Sequence, residues 1–356
     1  MDNRLHPVQA CDGGSMRLTD DVMLGPATRL LWRAPDSVQL ELGEHAVVVE
    51  GLPVEVVRRV AARSGPAAEP TVGVSRTAGG VLDPLTEAGY LWPRATDPDD
   101  LRLAPGSPRL AGELAALATQ HGDRAAAVLA DRRRARVQVE GGGRMLAAVA
   151  SVLAAAGVGQ LTCVAAGTAR LTQTAPGGLT AADEGRPLAA AAEDAVHRAA
   201  PEAQCPPPSP HDPPDLTLLV GDEALPDERV AALQAAGRPY LAVVLGPAHG
   251  VVGPLVIPGL TSCPECADRH RRDRDPAWDA LAVQLRVPRR HGPPSDVTVV
   301  TTLAGVAAQQ ALTYLDGGVP TTLDGTLELW LPDWRLRRRS RPPHPTCSCQ
   351  DDTPIR

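Results

Sequence analysis

The chain contains no lysine and no phenylalanine, so all 35 of its basic residues are arginine and its aromatic residues are five Trp and three Tyr. No mechanism that needs a lysine amine from this chain can operate. No stretch of about 18 uncharged apolar residues occurs, which excludes a membrane-spanning helix by length. The opening "MDNRLHPVQACDGGSMRL" lacks the apolar core of a signal peptide. A soluble, cytoplasmic protein with no membrane partner is expected. A net charge of −7 and a pI near 5.7 argue against nucleic acid as a main partner. The local basic runs "DRRRARVQV" and "RLRRRSRPPH" then read as solvated edges.

At 356 residues and 43% hydrophobic composition, the chain is long enough for two domains with a packed core. Residues 1–25 read as a loose tail rich in Gly and Asp. Residues 26–95 read as a small α+β module. Alternating Val38, Leu40 and Leu42, followed by Val47, Val48 and Val49, predict a hairpin. "PVEVVRRVAARSG" and "GGVLDPLTEAGYLW" then predict two short helices. The stretch 96–108, rich in Pro and Asp, reads as a linker. From 109 to 350 the pattern is α/β: a helix over "LAGELAALATQHGDRAAAVLADR", the strand "ARVQVEG", a glycine turn, the helix "RMLAAVASVLAAAG" and the strand "GQLTCVAAG".

Seven cysteines are present, and four of them form two close pairs, Cys263 with Cys266 and Cys347 with Cys349. Four soft thiolates suit tetrahedral zinc, each pair chelating from one tight turn. Two disulfides are the other reading, and the reduced thiols of an intracellular chain favour zinc. Four protein ligands leave no open position, so the metal would be structural. Of the others, Cys11 falls in the tail and Cys163 on a buried strand. Cys205, in the loop "CPPPSPHDPPD", is the one exposed candidate nucleophile of the folded part.

Strand, glycine turn and helix in sequence are where phosphates bind at a helix N-terminus. Here Gly141, Gly142 and Gly143 are followed by Leu146 at the third glycine of the dinucleotide fingerprint, and no acidic residue ends the next strand. The turn serves the fold without a nucleotide. The segment "DRHRRDRDPAWDALAVQLR" reads either as a solvated helix start or as a partner-binding ridge carried by Arg271, Arg274 and Trp278.

Over roughly 110–350 the chain resembles the ThiF/MoeB-type activating-enzyme superfamily, a Rossmann-like fold that adenylates a C-terminal carboxylate. The resemblance rests on "LAAAGVGQL", "PDLTLLVGDE", "PYLAVVLG" and the position of the cysteine pairs. More narrowly, "LLWRAPDSVQLEL", "VVGPLVIPGLTSCPECADRHRRDRDPAWDALAVQL" and "HPTCSCQ" are similar to a divergent actinobacterial branch tied to ribosomal peptide modification. That branch implies a winged-helix-like N-terminal module that binds a precursor leader peptide, a YcaO-type cyclodehydratase as partner, and a homodimer. On this reading Val38 and Leu40 lie along the exposed sheet edge to which the peptide adds a strand.

Residue by residue, the resemblance puts Gly141 and Gly143 on two motif glycines, and Arg144 and Leu146 on the other two. Ala165 and Gly167 replace the Asp-x-Asp that holds the ATP ribose. No arginine follows Gln173 where the family's triphosphate arginine stands, and the adenylation lysine is absent. Asp222 stands at the place of the magnesium-holding acid. ATP and magnesium are therefore not expected as cofactors. The expectation is a non-catalytic scaffold that presents a precursor peptide. The alternatives are an ATP-dependent adenylyltransferase and a purely structural zinc dimer subunit.

Overall fold

The computed structural model describes residues 7–9, 22–24, 28–34, 37–40, 47–50, 91–93, 107–222, 225–285 and 295–350. Its contacts divide the chain into two units, Met1–Ala130 and Asp131–Arg356.

In the first unit, strands β1 (Pro7–Gln9), β3 (Leu30–Ala34), β4 (Ser37–Leu40) and β5 (Val47–Glu50) form a sheet in the order β1-β5-β4-β3. The predicted hairpin is β4 with β5, antiparallel, with Val38 opposite Val49 and Leu40 opposite Val47. The period-2 alternation buries Val38 and Leu40 on one face. It also corrects the expectation for these two residues. Strand β4 is flanked by β5 and β3, so its main-chain groups are already engaged, and Val38 and Leu40 belong to the core instead of an open edge. Among the described residues the edges of this sheet are β1 and β3.

A second antiparallel pair joins β2 (Val22–Leu24) to β6 (Leu91–Pro93). Strands β1 and β2 thus fall in the segment read as a loose tail, where the short runs "PVQ" and "VML" pair with partners far along the chain. The two helices expected over 53–65 and 79–92 lie outside the described residues, apart from 91–93, which is strand. The predicted long helix is two, α1 (Ala111–His121) and α2 (Ala125–Arg134), broken by a tight turn at Gly122–Arg124. Leu110, Leu114 and Leu117 recur at helical spacing and bury against Val128 and Leu129.

The second unit is an α/β domain around a seven-stranded sheet. Its parallel strands are β7 (Arg136–Gly141), β8 (Gln160–Val164), β9 (Leu216–Asp222) and β10 (Tyr240–Gly246), and β11 (His249–Val256), β12 (Gly325–Trp330) and β13 (Arg337–Ser340) continue it antiparallel. The order is β13-β12-β11-β10-β9-β7-β8. Strands β9 and β10 read as continuous apolar runs because helices cover both faces of the parallel part. The helices are α3 (Met145–Ala155), α4 (Leu188–Ala199), α5 (Asp227–Ala235), α6 (Pro264–Arg272), α7 (Trp278–Leu285) and α8 (Val297–Leu315). Helix α3 is apolar nearly all round, since it is enclosed by the sheet, α4 and α8.

Helix α8 is capped at its start by the Asp296 side chain, which accepts from the Thr298 and Val299 N–H groups. Past its end, Asp316 accepts two hydrogen bonds from the buried Arg132 guanidinium, at 2.7 and 2.5 Å. Among the described residues no helix is long and apolar enough to cross a membrane.

Candidate functional site

The four paired cysteines converge. Strand β11 leads into a turn in which Thr261 Oγ1 accepts from the Ile257 N–H at 2.8 Å and the Ser262 N–H donates to Asp324 at 2.7 Å. This delivers Cys263 to the N-cap of α6, with Pro264 opening the helix and Cys266 one turn further on. From the C-terminal side, a strap over 341–349 is held down by the same helix. Arg269 donates to the Thr346 carbonyl at 2.9 Å, and His270 Nε2 donates to the Pro342 carbonyl at 3.0 Å. His344 Nε2 lies 2.8 Å from Asp273 Oδ2.

Sulfur separations are 3.8 Å for Cys263 to Cys266, 3.8 Å for Cys263 to Cys347 and 3.5 Å for Cys266 to Cys349. All four sulfurs lie within 4.8 Å of one another. A tetrahedron with metal–sulfur bonds of about 2.3 Å has edges of about 3.8 Å, so the donor set fits a tetrahedral thiophilic metal. The electrostatics agree. Burial works against ionisation of Cys266, yet N–H groups of His344 and Cys263 and the thiols of Cys349 and Cys347 outweigh it and hold this pKa below its ordinary value. Burial pushes Cys347 up to about 11, and burial and the neighbouring sulfurs raise Cys349 further. A cation among the sulfurs removes the conflict by taking all four as thiolates.

His270, Asp273 and His344 form a second group within ligand distance of one another. The Thr346 N–H donates to His344 Nδ1 at 3.2 Å, so the proton of the neutral ring sits on Nε2 and is given to Asp273. A metal-ligating histidine donates with its other nitrogen instead of accepting there. This group is therefore a clasp that fixes the strap.

The glycine turn between β7 and α3 shows why it needs glycine. A Cβ on Gly141 would lie 1.9 Å from the Val220 carbonyl oxygen of β9, and Gly143 has φ +68. Both demands come from the fold. Arg144 crosses the mouth of the turn, its Nε donating to the Thr172 carbonyl and its Nη1 to the Ser295 carbonyl, each at 2.9 Å. Leu146 is fully buried and Ala165 packs against the core. Asp222 is the last residue of β9, opposite Leu245. On the neighbouring strand β7, Glu140, opposite Leu219, takes a bidentate pair from Arg229 of α5 at 2.6 and 2.5 Å.

Arg271, Arg274 and Trp278 engage one another's neighbourhood first. The Arg271 guanidinium sits 4.7 Å from the Trp278 ring centroid, and both donate to Asp268. Arg274 donates to the His270 carbonyl at 2.9 Å. These contacts lock α7 onto α6 and leave Leu281 and Val283 exposed. Burial raises the Cys163 pKa to about 12 and that of Cys205 to about 11, so neither is an activated nucleophile.

No family model and no curated protein matches the sequence. Solved structures do match. E. coli MccB with ATP superposes with a TM-score of 0.67 at 16% identity, covering 92% of this chain and 99% of that one. The chain has the MccB fold. MccB, a microcin C7 biosynthetic enzyme, is also similar in its complex with N-formylated MccA, at TM-score 0.67 and 16% identity over 93% of this chain and 99% of that one. PaaA follows at TM-score 0.57 and 14% identity, covering 73% of this chain and 91% of that one. Those MccB structures hold ATP in one case and MccA in the other.

Sequence reasoning missed Arg229, Asp273 and His344 as site residues. A signal existed for the last, which lies three residues before Cys347 in "HPTCSC". Tyr240, buried beside the sulfurs, carried none, because its proximity arises from strand order.

Proposed function

We propose that this chain is a ThiF/MoeB-type fold used as a non-catalytic scaffold, binding a precursor peptide and presenting it to a modifying enzyme of the YcaO type. The observation that carries the reading is Arg144. Activation of a carboxylate by ATP needs main-chain N–H groups and positive charge free to meet the phosphates. Here Arg144, the cation that opens α3, is spent on two protein carbonyls, and the chain has no lysine to replace it.

Peptide binding draws support from MccB, which is solved with MccA. In this chain the binding element is the N-terminal module of 26–95, with the peptide adding a strand along β3, where Trp32 and Arg33 are exposed. The four cysteines hold structural zinc, the metal best matched to four thiolates at these separations. Arg271, Arg274, Trp278 and the exposed Leu281 and Val283 form the docking ridge for a second copy or the modifying enzyme, as Arg and Trp often anchor interfaces.

The second reading is an ATP-dependent adenylyltransferase, favoured by the MccB complex with ATP and by Asp222 at the end of β9. Pyrophosphate exchange and thermal melting with millimolar Mg-ATP separate the two. The scaffold gives no exchange and no shift, since any ligand of the native state must raise its stability. A clear melting shift with exchange would establish the adenylyltransferase.

A further inference from the structure

Among the described residues β13 is an edge of the seven-stranded sheet, paired with β12 alone, and all four of its residues are exposed. The Arg341 N–H donates to the Asp324 carbonyl at 2.7 Å, continuing the register that sets Arg339 against Thr326 and Arg337 against Glu328. In an antiparallel ladder one residue turns both its N–H and its C=O to the partner strand, and the next turns both away. Arg337 and Arg339 therefore give their main-chain groups to β12, and Arg338 and Ser340 aim theirs outward.

The turn that joins β12 to β13 displays apolar side chains beside this edge. Trp330, stacked on His249 with ring centroids 4.1 Å apart, is 42% exposed, Trp334 45% and Leu336 47%. Trp334 holds φ at +54°, a backbone conformation that is costly for a bulky side chain and that concentrates at ligand-binding segments. The charge is one-sided. Residues 335–341 include five arginines, and the carboxylates they pair with are Asp333 and Glu328, which leaves an excess of three positive charges.

We propose that β13 and the turn before it dock an acidic peptide segment in extended conformation, which joins the sheet as a further strand. The peptide main chain meets the outward groups of Arg338 and Ser340, its carboxylates meet the excess of arginine, and its apolar side chains meet Trp334 and Leu336. Arginine beside tryptophan also suits single-stranded nucleic acid. That ligand makes no use of an open ladder, and Arg338 is already turned onto the Thr321 and Leu323 carbonyls, at 2.9 and 3.3 Å. The surface lies wholly in the second unit and does not depend on strand addition at β3.

The test titrates the full chain against a fluorescein-labelled peptide that alternates Glu and Val, followed by anisotropy. The peptide should bind, more weakly as salt is added, and binding should be lost when Lys replaces Glu. N-methylation of alternate peptide amides breaks the ladder without altering the protein and should weaken binding severalfold. Ser340→Pro removes one outward N–H and no bond to β12, so it should do the same and leave the melting temperature in place. Trp334→Ala should also weaken binding, and Trp32→Ala should change nothing. No binding by the wild type would overturn the proposal, as would undiminished binding of the methylated peptide or an equal loss in Trp32→Ala. A single-stranded oligonucleotide of equal charge that displaces the peptide at lower concentration would assign the surface to nucleic acid instead.

Discussion

The Arg144 guanidinium donates to the Ser295 carbonyl across 151 positions of sequence, at 2.9 Å, while its Nε holds the Thr172 carbonyl. One side chain therefore joins the start of α3 to two loops over the carboxyl ends of the parallel strands. Arg144→Ala should lower stability by about 1–3 kcal/mol in urea unfolding, the range for charge-assisted hydrogen bonds. The variant should still release no pyrophosphate. Gain of ATP turnover on this single change would mean that the site is intact behind the arginine.

The metal prediction follows from the sulfur tetrahedron. Elemental analysis should find one zinc per chain, and Cys263→Ser or Cys347→Ser should lose it. Structural zinc contributes on the order of 10 kcal/mol in small sites, so a strong chelator should depress the melting temperature sharply. A melting temperature indifferent to chelator would count against a metal at these cysteines.

Glu328 of β12 supplies a pH prediction. Its carboxylate accepts from Arg339 at 2.6 Å and from Arg341 at 3.2 Å, pinning β13 to the sheet. Burial alone would raise its pKa, but Arg339, Thr326 and Arg341 outweigh burial and lower it. A carboxyl group lowered on folding contributes stability that is complete above its unfolded value and is lost as pH falls through the lower folded value. Amide protection factors over 337–340, taken relative to the intrinsic exchange rate at each pH, should therefore fall in acid, below the usual carboxylate range. Glu328→Gln should show that lower protection already at neutral pH.

For the N-terminal module, Trp32 is the residue to change. It is 47% exposed on β3, which lies at an edge of the sheet among the described residues. Trp32→Ala should weaken precursor-peptide binding about tenfold, or about 1.4 kcal/mol, read by fluorescence anisotropy with a labelled peptide. Proline at Val38 or Leu40 should instead unfold the module, because β4 is internal. Peptide binding that survives deletion of residues 1–95 would move recognition to the other unit.

What was legible in the sequence was whatever local spacing encodes. Cys263 and Cys266, and Cys347 and Cys349, announce a chelate because each pair sits within one turn, and the two-pair pattern implies their meeting. The alternation of Val38 and Leu40 correctly marked a buried face. It could not say which strands flank β4, since period-2 patterning fixes the face of a strand and not its neighbours. Arg144 was legible as a departure from glycine, but its two acceptors are loop carbonyls, which carry no residue-type signal at all. The Asp273 to His344 clasp escaped for a related reason. Its members are a common acid and a lone histidine brought together only by the strap.

The strap also changes what the unfolded chain is. A single ion gripping Cys263 and Cys347 closes a ring of 84 residues that contains α7, α8, β12 and β13. In the chain-entropy treatment of cross-links, a ring of that size removes about 4.5 kcal/mol of conformational freedom from the disordered ensemble. The antiparallel edge of the sheet and the long helix behind it would then be lost and regained together, as one cooperative block whose integrity is set by thiol chemistry at its two ends.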